Sequence, residues 1–233
     1  MSVFAAPRQP SEAFGAGEGQ PYEHALRDPA RILHLHEYQP DSTAATPPVF
    51  LDVDKFRAAA DAVDAEILRG LPGPLLDVGC GPGRLVRAAI LTGRIALGID
   101  VSRAAVQLAQ DQGLPVLCRS VFQDLPGAGT WATALLIDGN IGIGGDPRAL
   151  LARCAELVLD DGSGRILVEA NTDPLRDRVF QGVLVDDLQR TSLPFPWAEV
   201  GIEGLRRYAL EAGLVAVREW ASAGRTFAEF ARA

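Results

Sequence analysis

The chain has little of what would decide its class at a glance. Its 233 residues include three cysteines and three histidines, and aromatic side chains make up only 6%. Cys80, Cys118 and Cys154 are odd in number and lack metal-ligand spacing. They are read as small buried thiols, with no disulfide framework expected. His34 and His36 share a strand face, but two histidines without a further ligand read as a polar face, and no metal is expected. No apolar run reaches the roughly 18–20 residues that span a bilayer. The N-terminus carries acids, prolines and glycines where a signal peptide needs a basic start and an apolar stretch. A cytoplasmic protein is therefore expected. Positive charge is scarce as well: 22 Lys and Arg face 30 Asp and Glu, a formal net charge of −8, with no basic cluster. Such a surface repels phosphate backbones and anionic membranes, so neither nucleic acid nor a membrane is expected as partner. G-x-S-x-G, P-loop and HExxH patterns are missing.

What is present is an ordinary globular balance, 48% hydrophobic and 22% charged, and length enough for one large domain. Residues 1–20, rich in Pro, Gly and Ala, are expected to form a poorly ordered tail, and 21–233 a single domain. Within 21–70 the pattern predicts a short helix over Tyr22–Arg31 broken at Pro29, a strand over Ile32–Tyr38 and a return strand over Val49–Leu51. A helix follows, with Phe56, Ala60, Val63 and Ile67 on one face. From there strands alternate with helices: Leu75–Val78, Ile95–Asp100, Pro115–Ser120, Ala132–Ile137 and Arg165–Ala170 read as strands. Ser102 and Asp146-Pro147 open two of the intervening helices. Apolar strands in that order imply a parallel sheet with helices on each side. After a helix at Gly201–Ala212, the runs Leu214–Ser222 and Thr226–Arg232 lie too close together for a crossover and must pair antiparallel. Residues 171–201 are left as an insertion, or lid, above the strand ends.

The chain is organised around Leu75–Gly83, where an apolar strand ends in Asp77, turns through Gly79, Cys80, Gly81 and Gly83, and enters a helix. The spacing is G-x-G-x-G, not the G-x-G-x-x-G of a dinucleotide fingerprint. Asp100 ends the second strand, 21 residues beyond Gly79, and in a doubly wound sheet both strand ends face one crevice. A carboxylate there can accept hydrogen bonds from ribose hydroxyls, while Ser102 already serves as the helix cap.

The loop resembles the first motif of class I S-adenosylmethionine-dependent methyltransferases, and the strand order from Leu75 to the C-terminus is similar to their doubly wound, seven-stranded α/β sheet with a C-terminal antiparallel pair. The resemblance implies S-adenosylmethionine as cofactor. Asp77 would hold its methionine end, Gly79, Cys80, Gly81 and Gly83 would let the backbone pass close to it, and Asp100 with Val101 would take the ribose. Val121 and Phe122 correspond to the adenine-contacting segment; an acid is frequent where this chain has Val121, and valine offers the adenine only apolar contact. Asp138 and Asn140 would face the cofactor's amino-acid end or the acceptor, with Glu169, Asn171 and Asp173 near the same crevice. Tyr22, His24 and Arg27 lie in the segment that folds over the cofactor in many members, where each could bind its carboxylate or act as a base. The run Leu193-Pro-Phe195-Pro-Trp197 offers a stiff aromatic wall to a small-molecule acceptor. The expected function is O- or N-methylation of a small molecule, with no catalytic residue assigned. A nicotinamide oxidoreductase, an aminopropyl transferase and a cofactor-binding module without turnover remain as alternatives.

Overall fold

The computed structural model of the chain describes residues 14–28, 30–39 and 47–233. Helix α1 (Pro21–Arg27) starts on a proline, which suits a first helical turn because its missing N–H has no partner there anyway. In β1 (Leu33–Glu37) the leucines turn inward and His34 and His36 outward, beside Phe50 of β2 (Val49–Leu51). The single helix expected through Phe56 and Ile67 is two, α2 (Val53–Arg57) and α3 (Ala62–Gly70). Asp61 and Asp64 form a reciprocal capping box, with Asp64 N donating to Asp61 Oδ1 at 2.8 Å and Asp61 N to Asp64 Oδ2 at 3.1 Å. Local capping overrides the apolar period there.

The strand–helix succession then runs β3 (Leu75–Val78), α4 (Arg84–Leu91), β4 (Ala96–Asp100), α5 (Arg103–Asp111), β5 (Val116–Cys118), β6 (Thr133–Leu136), α6 (Pro147–Leu157) and β7 (Arg165–Ala170). Beyond it lie β8 (Asp177–Asp186), β9 (Phe195–Val200), α7 (Ile202–Glu211), β10 (Leu214–Ser222) and β11 (Arg225–Arg232). The larger sheet has the order β10-β11-β7-β6-β3-β4-β5, parallel from β5 to β7, with β11 antiparallel to both neighbours. This is the expected doubly wound, seven-stranded sheet. Alternate strand residues feed two cores: Leu76, Val78 and Val168 pack with α6 and α7, and Leu75, Leu135 and Leu167 with α3, α4 and α5.

A second, antiparallel sheet has the order β2-β1-β8-β9. The expected β1–β2 hairpin forms, but β1 also pairs along its whole length with β8, from Leu33 opposite Asp186 to Glu37 opposite Gly182. The insertion over 171–201 is therefore two strands, joined to the N-terminal segment in one unit. Its inner face, with Leu35, Phe180, Leu184 and Phe195, closes over Tyr22 and Leu26 of α1 and meets Ala104 and Ala105 of α5. Of the tail expected over 1–20, residues 1–13 lie outside the described ones. Residues 14–20 correct the expectation, because Phe14 buries ring surface against Tyr22, Phe195 and Trp197 and Leu193 N donates to Ala16 O at 2.7 Å. Cys118 is exposed rather than buried, since β5 lies at the sheet edge, whereas Cys80 and Cys154 are buried. Among the described residues no helix is long and apolar enough to cross a membrane, and no cluster of His, Cys, Asp and Glu is arranged to hold a metal.

Candidate active site

A parallel sheet sends the C-terminal ends of its strands to one edge, and here the second sheet lies over that edge. Between them is a cavity of about 810 Å³, within the size range of ligand pockets. Its floor is made by the ends of β3, β4, β5, β6 and β7, and its roof by residues 14–17, Tyr22, Leu35 and β9.

Asp77 sits on the floor, 4% exposed, and no described protein group donates a hydrogen bond to it. Burial, with smaller contributions from Asp138 and Asp100, pushes its carboxyl up to about 8. Asp100 braces the glycine loop: Gly81 N donates to its Oδ2 at 2.8 Å, and Ser102 N to its Oδ1 at 2.7 Å. Burial raises its pKa against the opposing pull of these amides, and each oxygen retains a lone pair for a further donor. Ser102 caps α5 as expected, through Ala105 N at 3.2 Å. Asn140 is a brace too, its Nδ2 donating to Val78 O at 2.8 Å and Gly79 O at 3.0 Å. Gly79 has φ +72°, and a Cβ there would lie 2.8 Å from Asn140 Nδ2, so only glycine lets this brace close. The Cys80 thiol is pushed well above its usual range by burial, then by Asp77 and Asp100, and stays neutral on the cavity wall. Gly83 departs from the expectation, for it does not line the cavity. Its φ of +88° and the Leu114 methyl, 2.8 Å from where a Cβ would stand, make it a packing position between α4 and the segment leading to β5.

Asp138 lines the cavity, but its carboxylate is engaged by the protein. Lys55, the only lysine in the sequence, reaches Oδ1 at 2.6 Å, and Arg84 pairs with Oδ2. Burial would raise its pKa, yet Arg84, Lys55 and Arg225 hold it below the usual carboxylate range. Arg84 also pairs with the fully buried Asp64. Arg225 joins Asp64 at 2.9 Å to Glu169 at 2.8 Å, and Glu169 accepts from Asp138 N at 2.8 Å. No sequence motif marks Asp64, Arg84 or Arg225, which meet from α3, α4 and β11.

The remaining expected residues divide. Tyr22, Phe195 and Trp197 line the roof, and Val101, Val121 and Phe122 the β4–β5 end. Val121 is 3% exposed, so an acid there would be buried, and its carbonyl accepts from Arg153 Nε at 2.9 Å. The Phe122 amide donates to Ser120 Oγ at 3.3 Å. Glu169 and Asn171 reach the cavity and Asp173 does not. His24 and Arg27 also stay outside it. α1 buries Tyr22, Ala25 and Leu26, and a rotation of about 100° per residue carries positions 24 and 27 away from the cavity, at whose rim Glu23 holds Arg27 in an ion pair at 2.7 Å.

The chain resembles solved methyltransferases in fold. A SAM-dependent methyltransferase from Bacteroides fragilis, solved with S-adenosyl-L-homocysteine, matches with a TM-score of 0.72 and 19% identity over 98% of both chains. The CcbJ methyltransferase from Streptomyces caelestis matches with a TM-score of 0.59 and 13% identity over 76% of this chain and 92% of its own. For the sugar N-methyltransferase KedS8 from Streptoalloteichus the values are 0.55 and 16%, over 84% of this chain and 99% of its own. No family model and no curated protein matches the chain.

Proposed function

We propose that this chain, which has the fold of the class I methyltransferases, transfers a methyl group from S-adenosylmethionine to an oxygen or nitrogen of a small molecule held in the cavity. One observation carries the reading: a buried carboxyl, Asp77, faces the cavity beside the glycine loop without a protein partner. The ammonium of an amino-acid moiety would supply that partner, and ribose hydroxyls would fill the free lone pairs of Asp100, each as a charge-assisted hydrogen bond. The net charge of −8 favours a small-molecule acceptor over nucleic acid.

When bound, the cofactor supplies a methyl carbon already activated by a sulfonium. The chain's own contribution is then alignment and exclusion of water. Asp100 and Asn140 hold the loop from opposite sides, through Gly81 N and the carbonyls of Val78 and Gly79. α1 and β9 close the roof with Tyr22, Phe195 and Trp197. Asp138 and Glu169 are tied to Lys55, Arg84 and Arg225, so they shape the wall instead of accepting a proton.

Calorimetric titration with S-adenosylmethionine, S-adenosylhomocysteine and NAD tests the cofactor, with binding of the first two and none of NAD expected. Release of S-adenosylhomocysteine during incubation with a metabolite extract tests turnover. NAD binding without S-adenosylmethionine binding would overturn the reading.

A further inference from the structure

Away from Asp77 and Asp100, the cavity is walled by aromatic rings that hold one another in place. The Phe14 ring centre lies 5.2 Å from Tyr22, 5.1 Å from Phe195 and 5.4 Å from Trp197, and Phe195 meets Trp197 edge-on at 5.9 Å. The Trp197 indole lies against bare backbone, for a Cβ on Gly142 would stand 2.6 Å from its Cε2. Tyr22 and Phe195 are buried, whereas Phe14 and Trp197 keep ring surface open to the cavity.

Two donors in this wall lack a protein acceptor among the described residues: the hydroxyl of Tyr22, a side chain 5% exposed, and Trp197 Nε1–H. By contrast Trp131 Nε1 donates to Pro126 O at 3.2 Å. Burial, then Asp100, pushes the Tyr22 phenol well above its usual range, so it stays a donor. Both donors stay accessible, so a ligand acceptor can take the place of water on them, and closing a ligand over them without one would be costly. Asp77 and Asp100 apart, the carboxylates near this wall are satisfied within the protein. Glu199 pairs with Arg176 at 2.7 Å and Arg178 at 2.9 Å, Glu23 with Arg27, and Glu169 with Arg225. The cavity arginines without a carboxylate partner among the described residues, Arg103 and Arg119, follow β4 and β5 at the other end, so a ligand carboxylate or phosphate on the aromatic wall finds the cations of the wall's own elements already paired. With Asp77 and Asp100 taken by the cofactor, a ligand cation finds only acids already neutralised. A full charge would have to be desolvated without compensation.

Building on the methyltransferase reading, we propose that the acceptor is an uncharged, planar ring compound whose edge carries a hydrogen-bond-accepting nitrogen or oxygen. Its face lies on the open surface of Phe14, and its edge atom takes a bond from Trp197 Nε1, while the Tyr22 hydroxyl, 3.5 Å from where a Cβ on Gly81 would stand, belongs to the cofactor end. Rigid aromatic faces with few, fixed donors select shape and neutrality together.

The test titrates protein saturated with S-adenosylhomocysteine, followed by ligand-observed NMR, against quinoline, N-methylquinolinium and quinoline-2-carboxylate. Quinoline should bind at least tenfold more tightly than either charged analogue. Trp197→Ala should weaken it tenfold or more at unchanged S-adenosylhomocysteine affinity and melting temperature, and Trp197→Phe by a few-fold. Equal binding of a charged analogue, no binding of quinoline, or indifference to Trp197→Ala would each overturn the proposal. Should Trp197→Ala fail to fold, Phe14→Ala gives the same reading, with a loss of quinoline affinity expected and indifference refuting. A protein that takes no S-adenosylhomocysteine refutes the methyltransferase reading instead, and the quinoline series on the free protein then still reports on the wall.

Discussion

Replacing Asp77 by asparagine should stabilise the ligand-free protein while impairing its ligand site. The carboxyl is raised from 3.8 to about 8 by burial, then by Asp138 and Asp100. Between those values the folded chain keeps a proton that the unfolded chain releases. The unfolding free energy therefore falls by about 1.4 kcal/mol for each pH unit of rise across that window, and this group adds no slope below or above it. Asparagine has no such dependence. From pH 5 to pH 7 the stability difference should shift by about 2.7 kcal/mol in favour of Asp77→Asn. Urea unfolding of both ligand-free proteins at pH 5, 6, 7 and 8 measures it. The same proton opposes an ammonium ligand, so S-adenosylhomocysteine affinity should rise by up to about tenfold per pH unit below about 8 in the parent protein and stay weak and flat in the variant. A stability difference that does not change with pH would mean that Asp77 is ionised and solvated throughout, and its assigned place in the site would fall.

Asp100→Ala removes the acceptor of Gly81 N and the proposed acceptor of the ribose, and should weaken S-adenosylmethionine by roughly ten- to a hundredfold; unchanged calorimetric affinity would refute the ribose assignment. Gly83→Ala must place a methyl 2.8 Å from Leu114 at φ +88°, and should cost about 1–3 kcal/mol in urea unfolding while the folded fraction binds normally. A selective loss of affinity would return Gly83 to the site. Lys55→Met leaves Asp138 with Arg84 and Arg225 and cuts the ion pair between α2 and the turn after β6. With the Lys55 side chain 32% exposed, the loss should be about 1 kcal/mol or less, read as faster hydrogen exchange over 49–57; unchanged exchange there would refute the anchoring role.

The larger sheet and the edge that carries the cavity are legible in the sequence. Apolar runs of strand length, Ser102 and Asp146 as helix caps, and glycines between β3 and α4 are local signals, each read within a few residues. Asp77 and Asp100 reach the cavity because strand ends in a parallel sheet share an edge, whatever covers it. Tertiary structure alone decided the cover. β1 finds β8 across the chain, Glu37 opposite Gly182, and a backbone ladder can form between any two strands, so no side-chain pattern names the partner. Phe14 joined the roof through rings from Tyr22, Phe195 and Trp197 that only the second sheet assembles. His24 and Arg27 looked equivalent to Tyr22 until the orientation of α1 separated them. Asp64, Arg84 and Arg225 carry no motif because an ion pair needs only opposite charges within reach, and which charges come within reach of one another is a property of the packed chain.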